Sequence, residues 1–289
     1  MIKDSTFATT ARADNARESG SKPPTMTASA RTIVPQTVCY EQPLNERVRS
    51  LLRLEFLFQQ VNRSIAEAST WASRAALQGL FDILALTGRN EFKRDLLKEL
   101  ERHAATLNRL RLNPNVDIAT LDRVLAEIGS AIGSIHRLDS SVLETVRQTD
   151  FLNAIHKRSQ APGGASQFDL PGLHHWLHQV PEVRAGHLRE WLTPFTPLWD
   201  AVGLILRLIR DSAISRPEIA YRGFFQRSLD SNVPHQIIRV FLSHDVALFP
   251  EISGGRHRFT IHFLEQPDPN RRAIQSTDDI PFELACCAL

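Results

Sequence analysis

Cys39-Tyr40-Glu41-Gln42-Pro43-Leu44-Asn45-Glu46-Arg47-Val48-Arg49-Ser50-Leu51-Leu52-Arg53-Leu54-Glu55-Phe56 is the stretch on which the fold turns. Residues 37–43 alternate weakly (Val38, Tyr40) and stop at Pro43. That pattern predicts a short strand at a sheet edge, where a missing backbone N–H disrupts no ladder. From Leu44 the apolar residues recur at Leu44, Val48, Leu51, Leu52, Phe56 and Val61, with Leu54, Leu57 and Phe58 widening the stripe. This is the spacing of a helix with one buried face.

Helical patterns continue downstream. Leu77, Leu80, Phe81 and Leu84 mark a second helix, ending near Thr87-Gly88, and Phe92 to Leu110 a third, stopped before Pro114. Asp117 can cap a fourth, carrying Leu121, Val124, Leu125, Ile128, Ile132 and Ile135. Asp139 or Ser140 can cap a fifth that reaches Ile155. After the turn signal Pro162-Gly163-Gly164, residues 168–170 read as extended and Leu173 to His178 as a short helix. Arg184 to Trp191 and Thr196 to Arg210 look helical, and the latter can complete a bundle.

After Arg216-Pro217 the period becomes two. Residues 221–229, 236–243, 257–265 and 280–287 read as strands, and Gly254-Gly255 fits a tight hairpin between Leu248-Ile252 and His257-Glu265. Helices first and strands last predict an α+β protein with segregated layers.

The bulk numbers exclude several classes. A 42% apolar content over 289 residues supports an ample core. The longest apolar run, Val202–Leu206, is interrupted by Gly203, far from the roughly 18 residues of a membrane span. With 34 Lys and Arg against 32 Asp and Glu, the net charge of +2 argues against a general nucleic-acid binder. The three cysteines, Cys39, Cys286 and Cys287, make a poor disulfide framework and suit a reducing cytoplasm. Residues 1–36 lack the apolar core of a secretory signal and read as a disordered tail.

No catalytic pattern stands out: there is no nucleophile elbow, Walker loop or G-x-G-x-x-G. His174 and His178 have the i, i+4 spacing of metal ligands, but no third ligand is indicated, so no metal or other cofactor is expected. Cys286 and Cys287 point to opposite faces of a strand and cannot share one zinc. In strand 257–265, Phe259, Ile261 and Phe263 fall on one face and Arg258, Thr260 and His262 on the other, with Arg256 in the turn. Read alone, the second face is a solvated strand surface or a small basic patch. Arg53 has no carboxylate three or four residues away, which leaves it free for another partner.

Taken in order, several motifs resemble the ZapD family of bacterial cell-division proteins. They are the Cys39–Phe56 stretch, Phe168-Asp169-Leu170-Pro171, Leu173-His174-His175-Trp176-Leu177, Phe249-Pro250-Glu251-Ile252-Ser253-Gly254-Gly255-Arg256-His257-Arg258-Phe259 and the terminal Phe282-Glu283-Leu284-Ala285-Cys286-Cys287. The resemblance covers roughly residues 36–287. It implies a mainly helical domain over 44–214 and a discontinuous antiparallel β domain from 37–43 with 215–289. It also implies a non-enzymatic homodimer that binds the C-terminal tail of FtsZ, bundles FtsZ filaments and promotes Z-ring assembly and septation at midcell. The family's tail-binding positions match Arg89, Arg258 and His262, with Arg256 adding charge; at His262 the family has arginine. Arg53 and His174 fall where basic residues assist bundling, and a further position falls near Asp150, with the charge reversed. The alternatives are a nucleic-acid binder using the basic hairpin and an enzyme with a helical cleft around Asp169, His174 and His175.

Because residues 1–30 offer no apolar anchor, their deletion should leave the melting temperature and FtsZ bundling unchanged. Thermal unfolding and co-sedimentation of the truncated protein check this, and a large fall in either would contradict it.

Overall fold

Pro43 ends strand β1 (Thr37–Pro43), and two residues later the Asn45 side chain accepts a hydrogen bond from the Val48 N–H at 2.9 Å, capping helix α1 (Glu46–Ala66). The structure, a computed structural model, describes residues 37–88, 90–255 and 257–289. The expectations for the tail at 1–36, for Arg89 and for Arg256 therefore lie outside the described residues.

α1 buries Val48, Leu51, Leu54, Phe58, Val61 and Ile65, which follow helical steps of three and four. Phe56, which the spacing assigns to the same stripe, is 63% exposed. Six of the eight residues from Leu51 to Phe58 are apolar, so the stripe is wider than one interface can cover. α2 (Thr70–Thr87), capped by the Ser69 hydroxyl, packs along α1. A Cβ at Gly79 would stand 2.4 Å from Val61 Cγ2, so this close helix contact requires glycine. α3 (Asn90–Arg109), α4 (Ile118–Arg137) and α9 (Thr196–Asp211) pack on one another in the same bundle.

The fifth expected helix is two: α5 (Ser140–Gln148) and α6 (Asp150–Ser159). Thr149 leaves the helical region at φ −56°, ψ 118°, and Asp150 opens α6, where a carboxylate favours the N-terminal dipole. Residues 168–170, expected to be extended, lie in turns. The Ser166 hydroxyl donates to the Asp169 carboxylate at 2.8 Å, and Leu170 N–H donates to the Ser166 carbonyl. α7 (Pro171–Leu177) and α8 (Pro181–Leu192) follow. The stretch Pro181–Asp211 is long and apolar enough to cross a membrane by length and composition, but α9 turns Leu198, Ala201, Val202, Ile205, Leu206 and Ile209 into the protein core.

The inner sheet has the order β1-β4-β8-β2, with β4 His235–Ser243, β8 Ile280–Ala288 and β2 Arg216–Ala220. The outer sheet has the order β3-β6-β5, with β3 Phe224–Ser228, β6 Arg258–Glu265 and β5 Leu248–Gly254; β7 (Ile274–Gln275) pairs with β6. All pairings are antiparallel, and β1 from the N-terminal side joins the C-terminal strands. The strand expected at 221–229 begins later. Arg222 and Gly223 hold φ of 51° and 69°, making a turn between β2 and β3. β2 itself carries Pro217 and sits at a sheet edge, where proline is tolerated.

The inner sheet divides two cores. Ile237, Ala285 and Cys287 pack with the helices, whereas their neighbours Ile238, Val240, Leu284 and Phe282 pack with Phe259, Ile261 and Phe263 of the outer sheet. Cys286 and Cys287 thus face opposite ways, and burial pushes the Cys287 thiol up to about 11. Arg210 of α9 ties the layers together. It donates to both oxygens of Glu55 on α1 and of Glu41 on β1, at 2.7–2.9 Å. The bonds to Glu55, then those to Glu41, hold its pKa above the ordinary arginine value. Arg239 of β4 makes a further ion pair with Glu41 at 2.9 Å.

A second tie is Glu99 of α3, 2% exposed. Arg47 lies 2.7 Å from it, Arg102 2.5 Å and the buried His103 3.1 Å. Burial opposes the charge, but the bonds from His103, Arg102 and Arg47 together outweigh it and hold the carboxyl well below the usual range. A depressed folded-state pKa contributes stability above the unfolded value of about 4.3, and that contribution is lost as pH falls through the folded value. Glu99→Gln is therefore expected to lower stability at pH 7, and the gap to the wild type should narrow below about pH 4. Urea unfolding of both proteins at several pH values measures it.

Candidate functional site

The outward face of the outer sheet is built by alternation. With Phe259, Ile261 and Phe263 fully buried, Arg258, Thr260 and His262 face away from the sandwich. Pairing sets their neighbours: Arg258 lies opposite Ser228, Thr260 between Gln226 and Ser253, and His262 between Phe224 and Glu251. Arg258 is exposed and makes no ion pair with a described residue. His262 is half-buried; its Nδ1 lies 2.9 Å from Gln275 Oε1, and its ring sits 4.9 Å from that of Phe224. The two residues are about 13 Å apart along the strand. This face is therefore cationic at the Arg258 end and mixed at the His262 end, where Glu251 supplies a carboxylate and Phe224 an exposed ring.

The hairpin end is fixed against the helices. A Cβ at Gly254 would stand 2.9 Å from Leu44 Cδ2 and 3.2 Å from Phe259 Cβ, so the last residue of β5 packs on the entry to α1. Just beyond Leu44, an open groove of about 690 Å³ runs between the end of β1, α1 and α2. Arg53 stands on it, 60% exposed. It is not free, as local spacing suggested: its guanidinium lies 3.7 Å from Glu46, two turns back along the same face of α1. Arg53 thus lies on the helical side, nine residues along the chain from Leu44, while Arg258 faces outward from the outer sheet.

His174 lies elsewhere. It lies on α7, with its ring 4.3 Å from that of His178, and its carbonyl 2.8 Å from His178 Nδ1. The buried Arg184 joins α7 to the far end of α1, donating to the carbonyls of Leu177 and Ala68. α1 has 21 residues and is about 30 Å long, so His174 is nearly a helix length from the hairpin. Among the described residues there is no group of three or more His, Cys, Asp or Glu placed to hold a metal ion. Asp169 of the alternative helical cleft is engaged with Ser166.

Comparison with known proteins gives a consistent result. Residues 52–262 match the ZapD family, described as cell division protein. A cell division protein ZapD of Methylococcus capsulatus is 40% identical over 252 residues, covering 87% of this chain and 98% of the relative. That of Nitrosomonas europaea is 34% identical over 264 residues, covering 91% and 100%. That of Ralstonia nicotianae is 38% identical over 252 residues, covering 86% and 99%.

The alternation separates folding from surface chemistry within one strand. Arg258→Ala is expected to change stability by no more than about 0.5 kcal/mol. Phe259→Ala, which empties a fully buried ring site, should cost about 3–5 kcal/mol. Denaturant unfolding of the pair reads both, and equal losses would mean that Arg258 is part of the packing.

Proposed function

The chain belongs to the ZapD family of cell division proteins, and from that premise we propose that it binds the C-terminal tail of FtsZ on the hairpin face around Arg258. It does so without catalysis or cofactor, in the cytoplasm, as a homodimer recruited to midcell, where it bundles FtsZ filaments and promotes Z-ring assembly. The observation that carries this reading is Arg258. It is an exposed guanidinium without a described carboxylate partner, held on a strand whose alternate residues are locked in the core.

An FtsZ tail brings carboxylates and apolar side chains. A planar guanidinium can hold a carboxylate through two hydrogen bonds and stack on apolar groups, which a lysine cannot do. His262 occupies the second position of the patch, half-buried beside Phe224 and opposite Glu251, so the electrostatic attraction concentrates at Arg258. Arg89 and Arg256 complete the proposed set by their places in the sequence, Arg89 two residues after Thr87 and Arg256 between Gly255 and His257. Arg53 stands exposed on α1, paired with Glu46, and is the proposed contact on the helical side. His174 lies too far away to share a single short peptide with Arg258 and serves the filament body or nothing in this process. A dimer with one site per subunit joins tails from neighbouring filaments, and many weak contacts sum by avidity.

The test is quantitative. A charge-assisted contact of about 1.5–3 kcal/mol corresponds to roughly a tenfold to hundredfold loss of tail affinity in Arg258→Ala. Fluorescence anisotropy with an FtsZ tail peptide measures that loss, and co-sedimentation with FtsZ should show bundling largely abolished. Tail binding by the wild type should also weaken as salt rises, because partly exposed ion pairs are screened over about 8 Å at physiological ionic strength. Wild-type bundling by Arg258→Ala would remove this site from the reading.

A further inference from the structure

Three apolar residues lie on the outward face of the outer sheet and belong to neither core. Phe224 on β3, Phe249 on β5 and Leu264 on β6 share that face with Arg258 and His262, because the register sets Phe224 opposite His262 and Phe249 opposite Leu264. Phe224 is 37% exposed, and Phe249 and Leu264 are half-buried. The His262 ring is tilted 53° against that of Phe224 and is held by Gln275, whose Nε2 donates in turn to the Arg222 carbonyl. Phe224 and His262 thus make a single aromatic step on the surface.

Among the described strand residues of this face, the charged ones are Arg258 and Glu251, and they are opposite in sign. Glu251 of β5 lies beside His262, is exposed, and makes no ion pair with a described residue. Four residues along β6 and one strand across separate it from Arg258, about 14 Å, too far for the two to neutralise each other. A purely acidic ligand would be attracted at Arg258 and repelled at Glu251. A segment that carries an acid, then apolar residues and then a lysine or arginine would be attracted at both. Extended chain covers about 14 Å in roughly four residues. From Arg258 to Leu264 the face runs on unbroken for about 20 Å, with charge at its start and apolar side chains at its end.

We propose that this strip selects a peptide segment of mixed charge. Arg258 takes its carboxylate, Glu251 takes a cation about four residues away, and the Phe224–His262 step, with Leu264 and Phe249, takes its apolar side chains. The inference rests on the tail-binding reading and names the chemistry of the tail segment that the site accepts. Glu251 is then a specificity residue, which admits a tail bearing a basic residue and turns away one that is acidic throughout.

Fluorescence anisotropy with an FtsZ tail peptide tests it on the wild type, Glu251→Gln, Phe224→Ala and Arg258→Ala, with light scattering and thermal unfolding of the same samples. Glu251→Gln keeps the shape of an exposed side chain and leaves the packing untouched. It should weaken the tail roughly twofold to fivefold, the range of an exposed ion pair. A tail peptide with its lysines and arginines replaced by glutamine should bind the wild type and Glu251→Gln alike, which isolates the pairwise contact. Phe224→Ala should weaken both peptides about fivefold or more, as expected for losing burial of an apolar side chain. If Glu251→Gln binds the tail as tightly as the wild type or more tightly, Glu251 holds no cation and the proposal is overturned, while weak binding by Arg258→Ala would leave the tail site standing. Wild-type affinity in Phe224→Ala overturns it equally. If the wild type binds no tail peptide, both readings fall. If Phe224→Ala turns a dimer into a monomer, the face is a contact between copies and the proposal is overturned.

Discussion

A sheet with two apolar faces has to be covered twice, and that constraint organises this molecule. β4 and β8 place apolar residues on both faces, Ile237, Ala285 and Cys287 on one and Ile238, Val240 and Leu284 on the other. The helices cover the first set and the outer sheet covers the second. The outer sheet then has only one face left to give to solvent, so the residues between Phe259, Ile261 and Phe263 are available for surface chemistry. Arg258 owes its exposure to the depth of its neighbours. The inner sheet also determines where the helices meet the hairpin, because β1 leads directly into α1 through Pro43 and Leu44.

The near-neutral total charge conceals two populations of arginine. Arg210 and Arg184 are turned inward and fully engaged, the first by two carboxylates and the second by backbone carbonyls and the Ser73 hydroxyl. Removing such a group leaves buried partners unsatisfied, so these residues specify the arrangement of layers. Arg53 and Arg258 are turned outward, where a single ion pair is weak and exchangeable. Composition alone cannot distinguish the two, because the difference is one of burial. It follows that the basic surface has to be read residue by residue rather than from the net charge.

Much of this was legible locally. Pro43 and Asn45 mark the strand-to-helix change, the period of two in 257–265 sorts core from surface, and adjacent cysteines on a strand must face apart. The illegible parts depend on partners distant in sequence. The break at Thr149 and the turn at Arg222-Gly223 interrupt patterns that read as continuous, and β7 is too short to show a period. Phe56 fits the apolar spacing of α1 and yet lies outside the core, because only tertiary packing decides which of two stripes is covered. Its signal was the excess itself, six apolar residues in eight. Arg53 found Glu46 seven residues away, beyond the spacings that usually pair on a helix. Arg89 and Arg256 remain legible in sequence order only.

β1 has a further consequence. Thr37 pairs with Ser243, 243 − 37 = 206 residues later in the chain. During synthesis at about 5–20 residues per second, the first strand therefore waits roughly 10–40 seconds for its neighbour to be made. Through that interval the helices can form from local contacts, while an extended segment with Val38, Cys39 and Tyr40 stays unpaired and open to wrong partners. The β layers are thus the last part of the protein to be secured, and their completion depends on the final strand leaving the ribosome. Nascent chains arrested after α9 but before β4 should consequently depend more on chaperones than chains arrested once β4 has emerged.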